Sequence, residues 1–184
     1  MDAIETLMAE HQQILAAIGA LEGFAGEVRR GGGDAAELGR FITFIREYAD
    51  AHHHAKEEEL LFSAMVEAGF SRDSGPIGVM LHDHAEGRHH VGVLGEVAAA
   101  PAPWSAADRE RLHAAALGYA DLLRAHIQKE DGILYPMAEA RLPAALRDRV
   151  DAAAAAHDAR QAASGVLPRL EALGASLVAR ARPA

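Results

Sequence analysis

Apolar positions along this chain recur at helical rather than strand spacing. Ile4, Leu7, Met8, Ile14, Leu15 and Ile18 form one stripe with His11 in its middle, and predict a first helix from about Asp2 to Arg30. Gly31-Gly32-Gly33 ends that helix, and Asp34 is an N-cap for a second one reaching about Ala68. At about 100° per residue its apolar face carries Ile42, Ala49, Leu60 and Ala64 together with His53. Ser74 followed by Pro76 starts a third helix, with proline in the first turn where its missing N–H costs nothing. Ile77, Met80, Leu81, Val91 and Ala98 share the side of His84. The segment APAPWS ends it, and Ser105 with Asp108 makes a capping box for a fourth helix. There Leu112, Ala115, Tyr119, Leu122, Ile133 and Met137 line up with His126. Pro136 is expected to kink or end this helix, and an Ala-rich helical segment follows Pro143 with a break near Pro168.

Four helices of roughly 25 to 35 residues with short connections predict an all-α fold, an up-down-up-down four-helix bundle with an additional C-terminal helix. A single domain over residues 1–184 is expected, with a bundle core at about 2–140 and a helical extension at about 143–181. Composition agrees: 50% of residues are apolar, much of it alanine, but only 5% are aromatic, which suits closely packed helices. The formal net charge of −9, without a basic stripe, argues against nucleic acid and anionic membrane as partners. The absence of cysteine excludes disulfides, thiolate metal sites and cysteine nucleophiles. The first residues lack a signal-peptide pattern and no run of about 20 apolar residues occurs, so a cytoplasmic protein is expected.

The 11 histidines change the picture through their positions. His53, Lys56, Glu57, Leu61 and Phe62 are matched by His126, Lys129, Glu130, Leu134 and Tyr135, each 73 residues later. The pairs Glu10-His11 and Asp83-His84 are also 73 apart, and each precedes its own His-x-x-x-Glu by 42 residues. One unit is therefore written twice. In His-x-x-x-Glu the side chains are i and i+4 and point the same way, one turn apart. His11, His53, His84 and His126 each sit on the apolar face of a different helix, so the bundle brings them together with Glu57 and Glu130. Two metal ions sharing both carboxylates fit this set, and nitrogen and oxygen donors without sulfur suit iron, manganese or zinc. Two buried carboxylates with no cation would be very costly. Two nitrogens and bridging oxygens per metal leave room for a small ligand.

The other polar residues fall outside that set. His52 and His54 point about 100° to either side of His53, and Glu58 about 140° away, so all three are expected to stand by. Glu86-x-x-His89 and Glu110-x-x-His113 resemble a ferritin-like ligand motif, but facing inward they would turn His84 and His126 to water. His82 and His157 are expected at the surface or in packing. Tyr119 and Arg88 admit two readings, core packing or contact with a bound ligand or carboxylate. Phe62 and Tyr135 are expected to shield the site.

The segments EHQQI at Glu10 to Ile14, HHAKEEELLF from His53, GPIGVMLHDHAEGR from Gly75 and HIQKEDGILYP from His126 resemble the hemerythrin-like, HHE cation-binding family over roughly residues 5 to 140. The resemblance implies a bundle holding two non-haem iron ions in an oxo- or hydroxo-bridged centre, with ligands His11, His53, Glu57, His84, His126 and Glu130. It implies roles in oxygen binding, redox sensing, iron handling or nitrosative-stress defence. Oxygen-carrying members place a second histidine where Arg88 stands, and their fourth-helix pattern would select Asp131. The internal repeat favours Glu130, and both remain open. A symmetric set of four histidines and two glutamates is closer to the bacterial redox and stress-response branch. The expected function is binding or sensing of O2, NO or peroxide. The alternatives are a peroxide-reducing di-iron enzyme, or an iron storage or delivery protein that repairs clusters. No protein partner is assigned.

Overall fold

The computed structural model describes residues 3–180; Asp2 and residue 181, at the expected ends of the first helix and of the extension, lie outside the described residues. Among the described residues there are helices and no strands. Helix α1 is Ala3–Arg29. Helix α2 covers 35–67, capped by Asp34, whose side chain accepts from the Glu37 amide at 2.8 Å. Helix α3 is Gly75–Ala98, entered at Ser74 with proline in its first turn. Helix α4 covers 106–141 and starts in the Ser105–Asp108 capping box. Two further helices, α5 (Ala144–Ala163) and α6 (Val166–Arg180), form the extension. The break between them falls at Gly165, with φ of 75°, a conformation glycine adopts without strain. Pro168 instead lies in the first turn of α6, where it is tolerated.

Two of the bundle helices are not α-helical throughout. After Ala35–Phe44, α2 widens into π-helical turns over Ile45–His54 and Glu57–Leu61, then closes as Phe62–Glu67. Helix α4 runs as Ala106–Lys129, widens over Glu130–Leu134 and continues as Tyr135–Arg141. Pro136 therefore does not end it; the wide turn just before takes up the missing N–H and the bulk of the ring. The segments opening at Glu57 and at Glu130 are each five residues long, and their start points repeat the 73-residue offset. The internal repeat thus extends to the backbone. Such π-turns concentrate at functional sites.

Helix α3 packs on α4 and on α2, and α1 packs on α4, giving the four-helix bundle. Its apolar interior divides into two clusters. One includes Ile14, Phe24, Phe41, Ala49, Val91 and Leu123; the other includes Leu7, Leu61, Phe62, Met80 and Leu134. On every bundle helix a polar residue separates them: His11 follows Leu7 and precedes Ile14, and His84 lies between Met80 and Val91 in the same way. The apolar stripes thereby bury one polar layer at one level. Helix α6 lies close on α2, where a Cβ at Gly174 would stand 2.6 Å from the Phe44 ring. Helix α5 runs outside the polar layer, against α1 and the π-turn of Glu57–Leu61.

Candidate metal centre

His11, His53, Glu57, His84, His126 and Glu130 meet in this layer, all essentially inaccessible to solvent, with Glu57 and Glu130 at 0% exposure. His11 and Glu130 come from α1 and α4, with Nε2 to Oε2 3.3 Å apart. Within α4, His126 Nε2 stands 3.1 Å from the same Glu130 oxygen. Glu57 Oε2 lies 3.8 Å from His53 Nε2 and 3.5 Å from His84 Nε2. The Nε2 atoms of His84 and His126 are 3.1 Å apart.

The outer nitrogen of each imidazole faces a carboxylate. His11 Nδ1 is 2.8 Å from Asp131, His53 Nδ1 2.8 Å from Glu10, His84 Nδ1 2.8 Å from Glu58, and His126 Nδ1 3.3 Å from Asp83. A carboxylate there draws the N–H to Nδ1 and leaves the Nε2 lone pair pointing inward, which is how metal-binding histidines are held. Two such lone pairs 3.1 Å apart need a positive charge between them, a proton or a metal ion. The carboxylates are themselves anchored. Lys56 bonds Glu10, and Lys129 bonds Asp83, at the repeat-related position. Burial works against charge on Glu10, but bonds from His52 and His53 and the nearby Lys56 hold its carboxyl well below the usual range. Burial likewise opposes charge on Asp83, yet His126 and Lys129 lower it to about 2.

At the centre the balance differs. Burial disfavours charge on both inner carboxylates. The imidazoles of His53 and His84 overcome this at Glu57 and hold it well below the ordinary value. Glu130 is driven well above its ordinary value by burial and by the charge on Glu57. With protein groups alone the balance therefore favours a proton on Glu130 over one on Glu57. Glu57 Oε2 and both oxygens of Glu130 are buried without a hydrogen-bond partner. Unpaired carboxylate oxygens facing imidazole lone pairs in a dry centre are a donor set for cations.

Residues 2–138 match the family model described as Hemerythrin HHE cation binding domain. The chain belongs to this family. No curated protein and no solved structure gives a significant match. The HHE domain is a metal-binding one, and its helical bundle with inward His and Glu clusters is what the chain displays.

Two groups of donors can be drawn within it. His11, His53, Glu57 and Glu130 offer ligand atoms within 4.8 Å of one another, and so do His54, Glu57, His84 and His126. His54 departs from the expected set. Its ring is buried, stacked on His84 with centroids 3.8 Å apart, and its Nδ1 lies 3.3 Å from Asp50. Burial and the neighbouring His84 lower its pKa to about 3, so the ring is neutral. The expectation that His54 stands aside assumed α-helical turns; the π-helical Ile45–His54 widens each turn, and His52, His53 and His54 are all buried, His54 in the polar layer and His52 beside α5. No repeat signal could have found it, because position 127 is isoleucine.

Other expectations shift with it. Glu58 is no bystander, since it holds His84. Asp131 faces the outer nitrogen of His11, whereas Glu130 reaches the centre. Tyr135 does more than shield: its ring stacks on His11 at 5.6 Å and its hydroxyl donates to Glu57 Oε1 at 2.6 Å. Phe62 covers His84 at 6.1 Å. Arg88 bonds Asp50 through Nε at 3.0 Å and Glu58 at 2.8 Å, so it joins the carboxylates behind His54 and His84. His82, Glu86, His89 and Glu110 are exposed and His113 is half-buried, none of them in the polar layer. Beside His54 and His84 lies a cavity of about 310 Å³, bounded also by Ile45, Arg88, Val91 and Tyr119. No feature of the sequence announces it. Among the described residues no helix is long and apolar enough to cross a membrane.

Proposed function

We propose that this HHE domain holds two iron ions in its polar layer and binds or senses O2, NO or peroxide in a cytoplasmic redox or stress response. The observation that carries the reading is the pair of donor groups joined through Glu57, each built of inward lone pairs with three unpartnered carboxylate oxygens between them. His11, His53 and Glu130 would hold one ion; His84 and His126, with His54 as a third imidazole, would hold the other; Glu57 belongs to both. Manganese or zinc are possible substitutes by donor chemistry. When bound, a di-iron pair supplies reversible electron transfer and an open position for a small ligand.

The chain's own contribution is orientation and exclusion of water. Carboxylates lock each imidazole, and two apolar clusters close the layer from above and below. Tyr135 keeps a hydroxyl proton at Glu57 Oε1. A second reading, a di-iron enzyme turning over peroxide or a small substrate, draws on the cavity beside His54 and His84, whose volume reaches the lower range of small-molecule sites.

Metal analysis with an optical spectrum of air-oxidised protein, before and after azide or peroxide, tests this. Two irons per chain and a spectrum that responds to azide are expected. Fewer than two bound metals under iron-replete conditions sinks both readings, and steady peroxide turnover selects the enzyme.

A further inference from the structure

A second cluster of donors stands outside the polar layer, where α5 passes α2. His52 is 2% exposed. Its Nε2 lies 3.1 Å from Glu10 Oε1, which draws the N–H to that side and leaves a lone pair on Nδ1. His52 Nδ1 is buried with no hydrogen-bond partner. On α5, Nε2 of His157 is buried and unpartnered in the same way, and the two ring centroids are 5.2 Å apart. Burial and the neighbouring His52 lower the pKa of His157, which favours the neutral ring. The next residue, Asp158, places Oδ1 3.7 Å from His52 Nε2. One atom from each of the three side chains falls within 4.8 Å of the others.

We infer that His52, His157 and Asp158 form a third, mononuclear site for a divalent first-row cation, with zinc the best match to its donors. Two imidazoles and one carboxylate are the three-ligand set of an open zinc site, completed by water. The cation would satisfy the orphaned nitrogen of His157 and pair with the Asp158 carboxylate, with His52 as the second imidazole. The neighbouring charges permit it: Lys56 bonds both Glu10 and Asp158, at 2.9 Å for the latter, so one ammonium stands against two carboxylates. Helix α5 lies beyond the residues matched to the family, so two of the three donors come from the extension. A cation here fastens α5 to α2. It also sits one carboxylate away from the main centre, because Glu10 bonds His52 through one oxygen and His53 through the other at 2.8 Å.

The site is independent of what the main centre holds, and the test keeps the two apart. The full chain is stripped of metal, loaded with excess Zn²⁺ alone, desalted and counted by plasma mass spectrometry. His157→Ala and Asp158→Asn should each bind one zinc fewer than the wild type while keeping its helical circular dichroism. Glu57→Ala, which disrupts the main centre, should retain that one zinc. Zinc should also raise the thermal midpoint of Glu57→Ala but not of Glu57→Ala combined with His157→Ala. Equal zinc counts in wild type and His157→Ala overturn the inference, as does a Glu57→Ala protein that binds none.

Discussion

The two halves of the polar layer are written by one repeated unit and yet are not equivalent. In the half around His11 and His53, Tyr135 lies over the imidazole and donates its hydroxyl to Glu57 Oε1. In the half around His84 and His126, Phe62 takes the corresponding place and has no hydroxyl to give, and Glu130 Oε1 is left without a partner. The second half gains His54, matched in the other copy by Ile127, which belongs to the apolar core. It also borders the cavity of about 310 Å³, with Arg88 at its edge. Duplication therefore accounts for the donors and their carboxylate supports, and two or three substitutions make one half closed and the other accessible. A small ligand is expected to enter beside His54 and His84.

The largest effect should come from breaking what the halves share. Glu57→Ala removes a donor from both groups and should abolish binding of both metals, whereas His11→Ala should spare the half around His84. Plasma mass spectrometry of iron-reconstituted protein reads the difference; equal losses in the two variants would contradict a shared Glu57. Next, His54→Ile copies the residue of the other half. It should lower metal content by one equivalent and weaken the optical response to azide, with His53→Ile as the comparison in the closed half. If His54→Ile keeps both metals and an unchanged azide spectrum, His54 is packing rather than a donor.

Removing an orienting carboxylate should cost less. Glu10→Ala and Asp83→Ala should each weaken metal affinity by about 10- to 100-fold, Glu10→Ala mainly in the His53 half and Asp83→Ala mainly in the His126 half. Competition with a chelator measures both. Smaller still is the exchange of ring hydroxyls. Tyr135→Phe leaves a fourth buried carboxylate oxygen of the centre unpaired and should destabilise the metal-free protein by about 1–3 kcal/mol, while Phe62→Tyr offers Glu130 Oε1 a donor and should destabilise far less. Denaturant unfolding of the two variants decides whether the hydroxyl sets the asymmetry.

The smallest change is expected at the cavity edge. Arg88→Ala removes ion pairs whose guanidinium is half exposed, at a cost of roughly 0–1 kcal/mol. The pair is pH-linked. The bond with His84 and the charge of Arg88 lower the Glu58 carboxyl from 4.5 to about 2. Because its folded pKa is depressed, its contribution is complete above pH 4.5 and fades as the pH falls through about 2. Acid unfolding of Arg88→Ala should therefore differ less from wild type at pH 2 than at pH 6.

Much of this was present in the chain itself. Helix spacing placed His11, His53, His84 and His126 on four apolar faces, and the i, i+4 relation set Glu57 and Glu130 beside their histidines, because both depend only on neighbours along one helix. The repeat even paired Lys56 with Lys129 and Glu10 with Asp83, although not their task of steadying His53 and His126. That task links different helices, as do the contacts of Asp131 with His11 and Glu58 with His84, and no spacing within a helix encodes them. His54 was hidden for another reason. It lies on a stretch of α2 that winds with i→i+5 bonds over Ile45–His54, so a face count at 100° per residue does not apply there. The meeting of His157 with His52 rests on where α5 comes to lie, which tertiary packing alone decides.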